Sequence, residues 1–275
     1  YNYIELKDML KKEGLMFSTN SDTEVILAAY KHMGREAVNH LRGMFSFIIW
    51  DKVDKKLFGA RDPFGIKPLF YAEKEGCIYF ASEKKSLLNI GQIDKRIDVE
   101  SLHHYLTFQY VPDPRTILMD VSILEPGCTI EKEIGRKAEI KRYWNVEFSP
   151  VSKPMDDRVM EIRKALEDSV KVHMRSDVPV GAFLSGGIDS TIIATLASRI
   201  KPDIKTFTVG FEREGYSEID LARETADELH VENISKVITA EEFMKELPKI
   251  VWHLEQPMAD PSAIPLYFVA REARK

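Results

Sequence analysis

The spacing of apolar positions changes character partway along the chain, and the change divides it. Residues 3–12 carry apolar side chains at helical spacing, and Gly14 follows where a left-handed residue would end that helix. Ser21-Asp22-Thr23-Glu24 reads as a capping box opening the apolar run Val25, Ile26, Ala28, Ala29 and Tyr30, with Gly34 closing it. The signal then turns to strands over 44–50, 56–61, 69–73 and 77–82, separated by the polar turns 51–55 and Glu75-Gly76. Hairpins in series predict an antiparallel sheet with the two helices packed on one face. A helix near 98–106 follows, then a strand pair around Gly135-Arg136 that ends at Arg142-Tyr143-Trp144.

Residues 145–155, with Pro150 and Pro154, read as a linker between a first domain, 1–144, and a second, 156–275. Beyond it Val159, Ile162, Leu166, Val170 and His173 share one helical face, and Asp156 and Asp157 suit the positive helix start. Strands are expected over 178–184, 204–210 and 231–238, with helices near 190–200 and 217–229 and a last helix over 264–275. Strands alternating with helices of that length predict βαβ units in a parallel sheet. No internal repeat or low-complexity segment interrupts this order.

Composition narrows the function classes. Hydrophobic residues at 44% and charged residues at 30% are ordinary globular usage, which excludes a disordered chain. The 275 residues suffice for about two domains. With 39 basic and 44 acidic residues the net charge is −5, and no basic block marks a nucleic-acid partner. The most apolar run, 44–50, is far short of the ~20 residues of a membrane span. Cys77 and Cys128 make no disulfide framework and no metal-ligand spacing, so a cytoplasmic, reducing setting is expected. Both fall in predicted strands without an adjacent His and are read as structural. The chain opens on Tyr1 rather than Met and ends inside a predicted helix without a stop signal, so it is expected to be cut at both ends.

The chemistry concentrates in Val178-Pro179-Val180-Gly181-Ala182-Phe183-Leu184-Ser185-Gly186-Gly187-Ile188-Asp189-Ser190. A buried strand runs into Ser-Gly-Gly, and a helix is expected just after Asp-Ser. Gly186 and Gly187 let backbone N–H groups close on an anion, because no Cβ blocks the approach. The Ser185 and Ser190 hydroxyls can donate to phosphate oxygens, and the helix start adds partial positive charge. Asp189 would repel a bare phosphate and makes sense if Mg²⁺ bridges it to the phosphate oxygens. The Gly-Lys-Ser/Thr of a Walker loop is absent. The plainer alternative is a Gly-Gly turn with Asp189-Ser190 as a helix cap.

Ser-Gly-Gly-Ile-Asp-Ser at a strand end resembles the pyrophosphate loop of the N-type ATP pyrophosphatases, which adenylate a substrate and release pyrophosphate. That resemblance implies ATP contacts from Leu184, Ser185, Gly186, Gly187, Asp189, Ser190 and Val209, with Asp189 on the metal. Leu184 and Val209 read equally as core aliphatics. In the first half, Asn20-Ser21-Asp22-Thr23-Glu24, the 61–69 segment Arg-Asp-Pro-Phe-Gly-Ile-Lys-Pro-Leu and Phe80-Ala81-Ser82-Glu83 together resemble the class II glutamine amidotransferase domain. With Tyr110-Val111-Pro112, Pro126-Gly127 and Arg142-Tyr143-Trp144, the whole chain resembles the glutamine-hydrolysing asparagine synthetase family.

The resemblance implies an α+β amidotransferase sandwich followed by an α/β parallel-sheet ATP pyrophosphatase domain, each partial. It implies ATP-dependent amidation of aspartate by ammonia from glutamine, through β-aspartyl-AMP, releasing AMP and pyrophosphate, with a homodimer as the family assembly. Asp22 matches the acid that holds the α-amino group of glutamine; without the family it reads as a first-turn acid. The family's nucleophile is an N-terminal cysteine, which would lie upstream of Tyr1, and its Ser-Gly-Glu-Gly-Ser-Asp-Glu segment would lie beyond Lys275. The chain as it stands is therefore expected to be inactive. A β-lactam-forming synthetase would share both domains without the cysteine. A glutamine phosphoribosylpyrophosphate amidotransferase shares the Arg-Asp-Pro segment but gives no reason for 185–190. A binding module with a vestigial loop is the non-enzymatic alternative.

Overall fold

In the computed structural model, residues 2–212, 215 and 217–275 are described. Tyr1, the position that marks the chain start in the family comparison, lies outside the described residues. The chain divides into two units: Tyr1–Ser149 with Glu255–Ala259, and Pro150–Leu254 with Asp260–Lys275. The sequence pattern gives no sign that 255–259 belongs with the first unit.

The first unit opens with α1 (Tyr3–Lys12), closed by Gly14 at φ +89°, and α2 (Asp22–Met33), closed by Gly34. Ser21 caps α2 by accepting from the Thr23 amide at 3.2 Å. The reciprocal half of the expected capping box is not made. Glu24 instead accepts from the Ser18 and Thr19 amides at 2.8 and 2.7 Å and pins the chain entering the helix. Those bonds hold its carboxyl below the usual range. A 3₁₀ turn over Gly34–His40 leads into the strands.

Strands β1 (Ser46–Asp51), β2 (Lys56–Arg61), β3 (Phe70–Lys74) and β4 (Cys77–Ala81) fall close to their predicted places. The short helix α3 (Lys84–Leu87) and α4 (Val99–Phe108) follow, then β5 (Ser122–Ile123), β6 (Cys128–Glu133) and β7 (Glu139–Arg142). The single sheet expected from the hairpins is two antiparallel sheets, ordered β1-β2-β6-β7 and β4-β3-β5. The reason is that these strands are apolar on both faces, and each face needs a cover. Ile48, Ile130, Cys128, Tyr71, Ile78 and Phe80 pack together between the sheets. The alternate residues Ile49, Phe58 and Ala60 pack outward against Val38, Ile26 and Tyr30. On the other sheet Phe70, Ala72 and Ile123 pack outward against Leu87 and Ile93. The result is the sandwich of antiparallel sheets that the family resemblance implies.

The second unit begins with α5 (Met155–His173), then β8 (Gly181–Phe183), α6 (Ile188–Ile200), β9 (Lys205–Phe211), α7 (Ile219–Glu228), β10 (Asn233–Ile238), α8 (Ala240–His253) and α9 (Ala263–Ala273). The three strands are parallel in the order β10-β9-β8. β8 is shorter than the predicted 178–184, since Pro179 has no amide to give to a ladder. Ala182, Leu184, Ala194, Ala222 and Val170 form a core on one face of the sheet. Ile238, Ile250 and Phe268, with Val209 and Phe211, form one on the other. The apolar pattern does not predict helix α8, although Thr239 caps it by accepting from the Glu242 amide at 3.0 Å, a Thr-x-x-Glu start. Pro248 inside the helix masks the signal.

Candidate functional site

The loop from β8 to α6 lies where a parallel sheet presents ligands, beyond the carboxyl ends of its strands. β8 stops pairing at Phe183↔Phe207, whereas β9 runs on to Phe211. The Leu184 amide makes the last bond to β9, donating to the Phe207 carbonyl at 2.9 Å, and its own carbonyl accepts from the Thr208 hydroxyl at 2.7 Å. Asn233 Nδ2 donates to both the Thr206 and Thr208 hydroxyls at 3.0 and 2.9 Å, so a buried polar chain fixes where the loop begins.

Within the loop the two serines face each other. Ser185 Oγ and Ser190 Oγ are 2.7 Å apart, the Ser185 amide donates to Ser190 Oγ at 3.1 Å, and the Gly187 amide donates to Ser185 Oγ at 3.2 Å. The helix starts at Ile188, two residues before the expected point, so Gly187 and not Asp189-Ser190 is the cap. Gly187 offers no side chain to the free amides of that first turn, which an N-terminus directs at whatever anion lies ahead of it. Asp189 stands exposed in the first turn.

Leu184 and Val209 resolve differently from the loop residues. Leu184 is buried in the α6–α7 core, and Val209 packs on the opposite face against Ile238 and Phe268. Their side chains are core aliphatics. Beyond Phe207 the β8-facing edge of β9, Val209 included, has no strand paired to it among the described residues.

In the first unit a cavity of about 520 Å³ is lined by Asp22 and Thr23 from α2, by 44–49 of β1 and its approach, by Lys67 and Pro68, and by Ser82. Three separate sequence segments, 20–24, 61–69 and 80–83, thus meet around one space. Asp22 is exposed at its rim, in the first turn of α2. Nothing in the sequence pattern marks Lys67 or Ser82 as lining residues; the one signal they share is that each lies in a segment that resembles the family.

The 61–69 segment is held by the side chains of Arg61 and Asp62 and not only by Pro and Gly. Arg61, nearly buried, donates to the Lys67, Gly65 and Leu124 carbonyls at 2.9, 2.7 and 2.5 Å and to Asp113 at 2.9 Å. Burial pushes the Asp113 carboxyl up, against the pull of Arg61. Cys77 is exposed and Cys128 buried, its thiol pushed up by desolvation. Among the described residues no group of three or more His, Cys, Asp or Glu could hold a metal, and no helix is long and apolar enough to cross a membrane.

A sandwich of antiparallel sheets and a parallel sheet with a Ser-Gly-Gly loop define the class, and comparison with known proteins agrees. The chain belongs to the glutamine amidotransferase domain family, whose model matches residues 1–144, and the asparagine synthase model matches residues 161–275. It is 55% identical, over all 275 residues, to a glutamine-hydrolysing asparagine synthetase of Bacillus subtilis, and 52% identical over its full length to a protein named as such a synthetase, putatively, in Mycobacterium tuberculosis. The chain spans 43% of the length of each. A glutamine phosphoribosylpyrophosphate amidotransferase of B. subtilis aligns with 85% of the chain and 43% of its own, at 18% identity and a TM-score of 0.39.

Proposed function

We propose that the chain supplies the glutamine half and the opening of the ATP half of an asparagine synthetase. Glutamine is hydrolysed in the first half, and its ammonia converts aspartate to asparagine through β-aspartyl-AMP, releasing AMP and pyrophosphate. The observation that carries the reading is the β8–α6 junction, where facing serines and an uncapped helix start follow directly on a pinned parallel strand. On this reading residues 1–144 are the amidotransferase domain, 145–155 the linker and 156–275 the synthetase part.

ATP lies with its phosphates at Ser185, Gly186, Gly187 and Ser190, whose amides and hydroxyls donate to the phosphate oxygens. Leu184 and Val209 contribute backbone to the adenosine side. The donor set fits Mg²⁺: Asp189, an exposed carboxylate in the first helical turn beside the loop, matches a hard cation that takes its remaining ligands from phosphate and water. When bound, the metal neutralises charge on the departing pyrophosphate. In the first half, Asp22 accepts from the α-ammonium of glutamine in the cavity it borders. The homodimer of the family and a cytoplasmic setting go with this assignment.

The test uses the full-length protein. Asp189→Ala should abolish aspartate-dependent pyrophosphate release and leave glutamine hydrolysis near normal. Asp22→Ala should raise the KM for glutamine and spare synthesis from free ammonia. Pyrophosphate release unchanged by Asp189→Ala would refute the ATP assignment.

A further inference from the structure

The start of α7 lies across the candidate phosphate loop. A Cβ built on Gly186 would stand 2.9 Å from Leu221 Cδ1 and 3.1 Å from Leu221 Cβ. One strand over, a Cβ on Gly210 would meet Ser217 Oγ at 2.3 Å and Ile219 Cδ1 at 2.9 Å. Two glycines therefore let residues 217–221 settle onto the ends of β8 and β9, the place a nucleotide would need. From this segment Glu218 reaches back, and its Oε2 accepts from the Gly186 amide at 3.3 Å.

Glu218 is also the residue that caps α7, yet its side chain makes no cap bond to that helix. A carboxylate at a helix start ordinarily accepts from the second or third helical amide, here Asp220 or Leu221, and gains from the helix dipole. Its carboxylate is given to the loop instead. An amide of an anion-binding loop is thus already bonded to an anion, and one that is covalently tethered.

We propose that Glu218 is a stand-in anion on the Gly186 amide of the loop and is displaced by the phosphates of ATP. Its carboxylate has two docking places, the Gly186 amide and the free amides of its own helix. A polyphosphate competes for the first and repels Glu218 towards the second. Glu218 then acts as a positioning residue, keeping the loop ordered before ATP arrives and weakening the binding of nucleotide that comes without its metal. The inference rests on 185–190 being the ATP phosphate site.

The experiment titrates metal-free ATP and Mg-ATP into the ¹⁵N-labelled full-length protein, comparing wild type with Glu218→Gln. Removing one exposed negative charge beside the phosphates should tighten metal-free ATP roughly fivefold, with a smaller gain for Mg-ATP. In wild type, ATP should shift the Gly186 amide together with those of Asp220 and Leu221. Binding to Glu218→Gln no tighter than to wild type, while the 185–190 amides still respond, would overturn the proposal and leave the loop assignment standing. ATP that leaves those amides unmoved in wild type would overturn both. If Glu218→Gln loses the dispersed spectrum of the folded chain, Glu218→Ala is read by the same criteria.

Discussion

Asp62 Oδ2 accepts from the Lys67 amide at 2.9 Å, while its Oδ1 accepts from the Phe64 and Ile66 amides at 3.1 and 3.0 Å. One fully buried carboxylate thereby closes the loop that carries Lys67 and Pro68 to the cavity of the first unit. A buried acceptor serving three amides is costly to remove, because each N–H left unpaired keeps its desolvation penalty.

Asp62→Ala should accordingly destabilise the first unit by about 2–4 kcal/mol. Trp144 is a built-in reporter, since Phe64 of the same loop packs against its ring at 5.0 Å between centroids. Urea unfolding followed by tryptophan fluorescence should show an earlier transition. An unshifted midpoint would mean that the loop is held by Arg61 alone.

Lys84 is nearly buried in the first unit, with Nζ donating to Gln256 Oε1 at 3.0 Å. Burial pulls its pKa down to about 8, opposed by Glu255. A lysine depressed on folding costs stability while it must stay charged, so the cost is full below about pH 8. It falls away as pH rises from there towards the unfolded value near 10.5. Lys84→Met should therefore be more stable than wild type at pH 7, by about 1 kcal/mol, with the difference shrinking by pH 9.5. Gln256 keeps the Ile117 amide as a donor in that variant. Denaturation at the two pH values measures the difference; a gap that widens with pH would contradict the sign.

Thr208→Val should loosen the β8–α6 loop without collapsing the sheet. The substitution takes the hydroxyl from the Leu184 carbonyl and one acceptor from Asn233, a loss of about 1–2 kcal/mol. Amide exchange at 185–187 should quicken more than that of the β9–β10 ladder. Uniform acceleration across the unit would mean a global effect and no special tie to the loop.

The two thiols should separate cleanly in a labelling experiment. Cys77 is exposed at the start of β4, and Cys128 is buried between the sheets with its thiol pushed up. One equivalent of a thiol reagent should react with the folded chain, and Cys77→Ser should remove it. The second should appear only in denaturant. Two fast equivalents in the native protein would show that the inter-sheet core opens readily.

By itself the sequence determined the parts whose information is local. Periodicity and end signals placed α1, α2, α4 and α6, because a helix is stabilised by neighbours three and four residues away and by its own caps. The alternation of strand and helix set the parallel sheet, and Ser-Gly-Gly-Ile-Asp-Ser marked the loop. Tertiary structure alone decided which strands pair. Hairpin signals join β1 to β2 and β3 to β4, but strands apolar on both faces split into two sheets only because a second layer was there to bury each face. The same holds for Asp22, Lys67 and Ser82, which share a cavity from positions far apart in the chain, and for Glu255–Ala259, which joins the first unit from between two helices of the second. Glu218 is the sharpest case. Its sequence position makes it a helix cap, and only the packing of α7 onto Gly186 gives its carboxylate to the loop, since a cap chooses between acceptable donors by which one the fold brings within reach.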